Sequence, residues 1–126
     1  MKKMILLFSH KLTKAQKNDA KSSFDVDAFI TLPKNLQQIW SAVPSDLEDI
    51  SDYLQPIRDF LIESMQKSDI ALIQGDFGTT CAMVSFVKSL GGVAVYATTK
   101  RDVVEKEIDG KIIKTSVFEH IRFREF

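Results

Sequence analysis

Lys2-Lys3-Met4-Ile5-Leu6-Leu7-Phe8-Ser9-His10-Lys11-Leu12-Thr13 decides how this chain is read. Met4 to Phe8 is an unbroken apolar run, short enough for a buried strand. It stops at the polar Ser9-His10-Lys11, and Thr13 then opens a helix. Open α/β sheets take their ligands at the carboxyl ends of such strands. His10 accepts or donates a proton near neutral pH, Lys11 brings a compact positive charge, and Ser9 brings a hydroxyl. These groups together predict a site for an anion, most simply a phosphate.

Working outward, Thr13-Lys14-Ala15-Gln16 matches a capping box, and the helix it starts should run to about Lys21. Asp27 to Leu32 predicts a second strand ending at Pro33. Lys34 to Trp40 predicts a short helix, which Pro44 ends. Ser45 with Glu48 forms another capping-box pattern, and Leu47, Ile50, Leu54, Ile57, Leu61, Ile62 and Met65 recur at helical steps. Pro56 lies inside that stripe and should kink or divide the helix. Asp69 to Gln74, nearly all apolar, predicts a central strand. Gly75 to Thr80 turns into a helix that ends near Leu90 at Gly91-Gly92. Val93 to Thr98 is a fourth strand. The order βαβααβαβ predicts an α/β fold with a mostly parallel sheet and helices on both faces. Asp109-Gly110 then joins Val103–Ile108 to Lys111–Val117 as a β-hairpin, and Phe118 to Phe126 adds a further extended piece.

Three segments are expected to meet at the carboxyl edge of the parallel strands: Ser9-His10-Lys11, Gln74-Gly75-Asp76-Phe77-Gly78-Thr79-Thr80, and Thr98-Thr99-Lys100-Arg101. The glycines of the second let backbone approach a ligand, and the helix N-terminus after it favours anions. It matches neither the P-loop nor the dinucleotide fingerprint, and a tight turn capped by Thr79 or Thr80 competes with the ligand reading. The third offers two hydroxyls and two cations for phosphate and ribose oxygens, against a plain solvated loop. Phe77 lies where an adenine could stack on it. His120, in an alternating charged stretch, reads as surface. Cys81, amid Ala82, Met83 and Val84, reads as a small core residue.

Composition narrows the functional classes. The 126 residues carry 17 Lys plus Arg against 17 Asp plus Glu, enough chain for one domain, residues 1–126, with one core. Zero net charge is not the footprint of a protein that coats duplex DNA. A single cysteine allows no internal disulfide and suits a reducing cytoplasm. No apolar run approaches the roughly 20 residues of a membrane span, so the chain is expected to be cytoplasmic, soluble and complete. No CxxC or HxxxH spacing offers a metal site, and no cofactor is implied.

The Phe-Ser-His-x-Leu-Thr start, with Leu32-Pro33, Ile39-Trp40, Pro44, Gly75-Asp76-Phe77-Gly78 and Tyr96-Ala97-Thr98-Thr99-Lys100-Arg101, resembles the small stand-alone Csx-type proteins of type III CRISPR loci. That resemblance implies a three-layer, Rossmann-like (CARF-like) domain, a homodimer, and a two-fold pocket for a cyclic oligoadenylate messenger. Several members are ring nucleases that cleave cyclic tetra-adenylate and switch off antiviral signalling, while others only bind the ring. In the nuclease reading His10 is base or acid, Lys11 and Arg101 clamp phosphate, Ser9 orients the reacting groups, and backbone N–H groups around Gly75 to Gly78 hold a second phosphate or an adenine. No metal is required, because the ribose supplies its own nucleophile.

Overall fold

A computed structural model describes residues 1–126. In chain order the elements are β1 (Lys3–Leu7), α1 (Lys14–Phe24), β2 (Ala28–Thr31), α2 (Lys34–Ser41), α3 (Gln55–Ser64), β3 (Ile70–Ile73), α4 (Phe77–Ser89), β4 (Val93–Ile108) and β5 (Lys111–Glu125). They build one mixed sheet in the order β2-β1-β3-β4-β5, parallel from β2 to β4 and antiparallel between β4 and β5.

β1 and β3 read as continuous apolar runs because both their faces are covered. Met4, Leu6, Ile70 and Leu72 pack with Leu12 and Ala20 on the α1 side. Ile5, Leu7, Ala71 and Ile73 face the other way, onto Trp40, Ile57, Leu61 and Met83 of α2, α3 and α4. A fully buried side chain of this size contributes roughly 1.5–3 kcal/mol, so these two strands anchor the fold. The Thr13 capping box forms as expected: Thr13 Oγ1 accepts from Gln16 N at 3.2 Å, and Thr13 N donates to Gln16 Oε1 at 2.9 Å.

The helix expected from Ser45 does not form. Residues 42–54 are loop and turns, Leu47 is exposed, and α3 starts at Gln55 with Pro56 in its first turn. Proline fits a first turn, where its missing N–H has no intrahelical acceptor to serve; further in, it would block the preceding turn. The division allowed for at Pro56 therefore leaves only its second half helical. α4 buries Thr79, Met83 and Val87, a four-residue spacing that turns Cys81 outward. The cysteine is exposed rather than in the core.

β4 does not stop at Thr98 as expected but continues through Arg101 to Ile108, paired with β5 throughout. Asp109 and Gly110, at φ 52° and 76°, make the tight turn, as two positive φ values in succession allow. A register shift between Thr98 and Thr99 leaves Ile121 unpaired in β5, a bulge of the kind that bends strands. Beyond it the ribbon projects past the carboxyl edge of the sheet as an arm.

His120 sits at the root of this arm and is not a surface residue. Its side chain is 6% exposed, and its Nε2 lies 2.8 Å from Asp19 Oδ2 on α1. Burial alone would raise the Asp19 carboxyl, but hydrogen bonds from Ser23 and His120, with the His120 charge, outweigh it and hold the group below the ordinary aspartate range. A carboxylate with a depressed folded-state pKa contributes stability above its unfolded pKa and loses it as pH falls through the folded value. Asp19→Asn is therefore expected to lower stability at neutral pH and to flatten the acid limb of the unfolding curve below about pH 4. Chemical denaturation from pH 3 to 7 checks this, and an acid limb unchanged by the substitution contradicts it.

Candidate functional site

The chain runs from β1 to β2 on one side, then returns to place β3 on the other side of β1. The sheet order thus reverses between β1 and β3, and ligands of open α/β sheets bind outside the carboxyl ends at such a reversal. Leu7 O accepts from Gln74 N at 3.0 Å, so Ser9-His10-Lys11 and Gln74-Gly75 leave adjacent strands side by side.

Ser9, His10 and Lys11 line one open cavity of about 560 Å³, with Phe8, Lys17, Phe29, Thr31 and Gln37 also in its wall. All three are exposed, and the His10 ring stands edge-on to Phe8 at 5.3 Å between centroids. Gln37 Nε2 donates to Phe8 O at 3.1 Å and to Ser41 Oγ at 3.0 Å, and Ser41 Oγ lies 2.9 Å from Ser9 Oγ. With Gln37 donating to Ser41, the Ser41 proton can go to Ser9, which leaves the Ser9 proton for a ligand oxygen. Gln37, Ser41 and Lys17 were missed in the sequence. The available signals were weak: Gln37 and Ser41 stand one turn apart on α2, and Lys17 one turn after Thr13.

The β3–α4 turn is built mainly by packing. Gln74 O accepts from Trp40 Nε1 at 3.1 Å, and Gln74 Oε1 accepts from Ala97 N at 2.9 Å. Its side-chain oxygen is therefore already engaged in joining β3 to β4. A Cβ at Gly75 would stand 3.0 Å from three atoms of the Trp40 indole, so glycine here admits the tryptophan. Asp76 caps α4: its Oδ2 accepts from Thr79 N and Thr79 Oγ1, both at 3.1 Å. That carboxylate occupies the helix N-terminus and opposes an anion there, which favours the capped-turn reading for Asp76 and Thr79. Gly78 lies in the first turn of α4 and Thr80 one turn in. Phe77 is 94% exposed. With Gln74, Gly75, Thr80, Cys81, Val84, Tyr96 and Phe126 it borders a second, more apolar cavity of about 510 Å³.

A pair of substitutions separates the glycines. Gly75→Ala forces the buried Trp40 to move and is expected to destabilise by about 1–3 kcal/mol. At Gly78 a Cβ would meet Ile50 Cδ1 at an ordinary 3.4 Å, and alanine should stabilise α4 by about 0.5–1 kcal/mol. Urea midpoints measure both; equal shifts would refute the Trp40 explanation.

The third segment converges only in part. Thr98 Oγ1 donates to Arg122 O at 2.9 Å and accepts from Arg122 N at 3.2 Å, locking β4 to β5 just before the bulge. Thr99 pairs with His120, Lys100 with Glu119 and Arg101 with Phe118. Alternate strand residues face opposite ways, so Lys100 and Arg101 lie on opposite faces of the arm. Arg101 donates from Nε and Nη2 to Ser116 Oγ at 3.2 and 3.0 Å. The segment is thus a strand on the rising arm, not a loop wrapped around the β1–β3 crevice.

No helix is long and apolar enough to cross a membrane. No solved structure matches the chain. Over 126 residues, all of this chain and 98% of the relative, it is 50% identical to uncharacterized protein MJ1673 of Methanocaldococcus jannaschii. The model of the uncharacterized protein MJ1673 family matches residues 2–124, and the chain belongs to that family.

Proposed function

We propose that this protein is a metal-independent ring nuclease, cytoplasmic and homodimeric, that binds cyclic oligoadenylate, most simply cyclic tetra-adenylate, on a Rossmann-like, three-layer CARF-type domain and so ends type III CRISPR signalling. The observation that carries this reading is the shared cavity at the carboxyl end of β1, on its β2 side, where Ser9, His10, Lys11 and Lys17 put a hydroxyl, an imidazole and two ammonium groups around one open space. The Csx-like motifs supply the ligand class.

The chemistry suits these groups. A ribose 2′-OH attacks the adjacent phosphorus, the 2′-O–P bond forms as the P–O5′ bond breaks, and a 2′,3′-cyclic phosphate and a 5′-OH result. Holding the 2′-OH in line with the leaving oxygen removes a large part of the barrier. His10 takes the 2′ proton or delivers one to the leaving oxygen. Lys11 and Lys17 stabilise charge on the phosphoryl oxygens. Ser9, oriented through Ser41 and Gln37, donates to one of them. Phe77, beside the second cavity, offers an adenine a face to stack on.

A two-fold symmetric ring fits a C2 dimer, since each subunit meets equivalent phosphates with the same groups. Incubating the protein with labelled rings of four and six adenylates, with chelator present, tests the reading. Linear product from the four-membered ring supports it. Tight retention of an intact ring identifies a non-catalytic sensor instead. Binding of mononucleotides but of no ring overturns both.

A further inference from the structure

The β4–β5 arm carries an exposed apolar stripe with nothing of its own chain covering it. A two-stranded ribbon alone is marginal in water, so the arm calls for a partner. Directly opposed residues of an antiparallel pair share a face. On the face that continues the α4 side, the rungs run Lys100–Glu119, Asp102–Val117, Val104–Thr115, Lys106–Ile113 and Ile108–Lys111. Val104, Ile113, Val117 and Ile108 are 41%, 45%, 48% and 51% exposed along it.

We infer that this face binds the same face of a second copy, around a two-fold axis through the Val104–Thr115 rung. That axis, lying between the ribbons and across the strands, stacks each rung on the one equally far beyond the centre. Asp102 then meets the partner's Lys106, Glu119 meets the partner's Lys111, and Val117 meets the partner's Ile113, each twice by symmetry. Val104 meets its own copy at the centre, and the Lys100 stem lies over the partner's Ile108.

The register selects this axis. Moving it one rung either way sets Asp102 against Asp102 or Lys106 against Lys106. On the opposite face, an axis through the Val103–Ser116 rung sets Arg101 against the partner's Glu105 and Phe118 against the partner's Lys114, but there Arg101 is already held by Ser116, Glu105 by Lys114, and His120 by Asp19 on α1. This contact is separate from the ring-sharing dimer proposed above and rests neither on that assembly nor on its ligand, because an axis through Val104 sets the two sheet edges at opposite ends of the arm. From Lys100 to Ile108 the face measures about 30 Å by about 10 Å, or about 300 Å² per copy, short of the roughly 800 Å² of a standard interface. The association is therefore weak and transient, and its charges set the register.

Sedimentation equilibrium of the full chain without nucleotide tests this. The wild type should dimerise reversibly at micromolar concentration. Asp102→Lys turns two attractions into two repulsions and should weaken dimerisation about tenfold or more. Asp102→Lys/Lys106→Asp restores the pairing with the charges exchanged, and should return the dimer to within about threefold of wild type. Asp102 and Lys106 are exposed, so these variants should fold, which circular dichroism verifies. A monomeric wild type, a dimer indifferent to Asp102→Lys, or a double variant no better than the single overturns the inference. Ring cleavage is scored separately: a charge-dependent dimer that leaves every ring intact keeps this interface and sinks the nuclease reading.

Discussion

Replacing His10 with alanine should slow ring opening by about 10²–10⁴-fold, the usual contribution of a positioned acid–base group, while ring affinity changes little. His10 lies at the carboxyl end of β1 in a cavity shared with Lys11 and Lys17, and the imidazole is the group there suited to exchange a proton near neutral pH. Lys11→Ala should differ in kind. It removes a charge that meets phosphate before and during reaction, so binding falls together with rate. Single-turnover rates, with affinity measured separately, distinguish the two. A His10→Ala protein that opens the ring at the parent rate would mean that alignment of the 2′-OH alone, or Ser9 and Lys11, carries the chemistry.

The largest loss of stability is expected at Trp40. The indole is 2% exposed in the core shared by α2, α3 and α4, and its Nε1 donates to Gln74 O. It therefore ties α2 to the end of β3, where the chain turns at Gly75. Trp40→Ala should cost about 3–5 kcal/mol, a large part of the roughly 5–15 kcal/mol that holds a typical domain folded. Trp40→Phe keeps most of the apolar contact but leaves the Gln74 carbonyl without its donor, a cost of about 1–3 kcal/mol. The effect should reach the site as well, because α2 also carries Gln37 and Ser41, which hold Ser9. Urea unfolding gives the stabilities. A Trp40→Ala loss under about 1 kcal/mol would show that the core closes around the gap, contrary to the usual incomplete relaxation.

Much of the fold is legible where local pattern and burial agree. Met4–Phe8 and Ile70–Ile73 are apolar on both faces, and they pair as the central strands. Asp109-Gly110 names its own turn. Legibility fails where the deciding partner is distant or local signals conflict. Ser45 and Glu48 offer a capping box, but Pro56 starts its own helix and the segment before it stays a loop. Thr98-Thr99-Lys100-Arg101 is polar and reads as the end of a strand, yet β5 supplies backbone partners and the strand continues. His120 looks solvated until α1 brings Asp19 to it across 101 positions. Cys81 sits among apolar neighbours, and only the Thr79, Met83 and Val87 spacing shows that it faces out.

The candidate site divides in the same way. Ser9, His10 and Lys11 are local to one strand end and share one cavity. The roles of Gln74, Gly75 and Asp76 depend on Trp40, Ala97 and Thr79, and only the folded contacts separate packing from ligand contact. Gly75 illustrates this: its missing side chain makes room for an indole, although the same glycine in sequence reads as room for a phosphate.

End-group analysis of the products from labelled cyclic tetra-adenylate, with excess chelator, tests the proposed chemistry most directly. Linear oligoadenylate ending in a 2′,3′-cyclic phosphate and a 5′-OH is expected from the wild type, with little formed by His10→Ala. An intact ring, or products bearing 5′-phosphate and 3′-OH ends, would contradict attack by the ribose 2′-OH at this site.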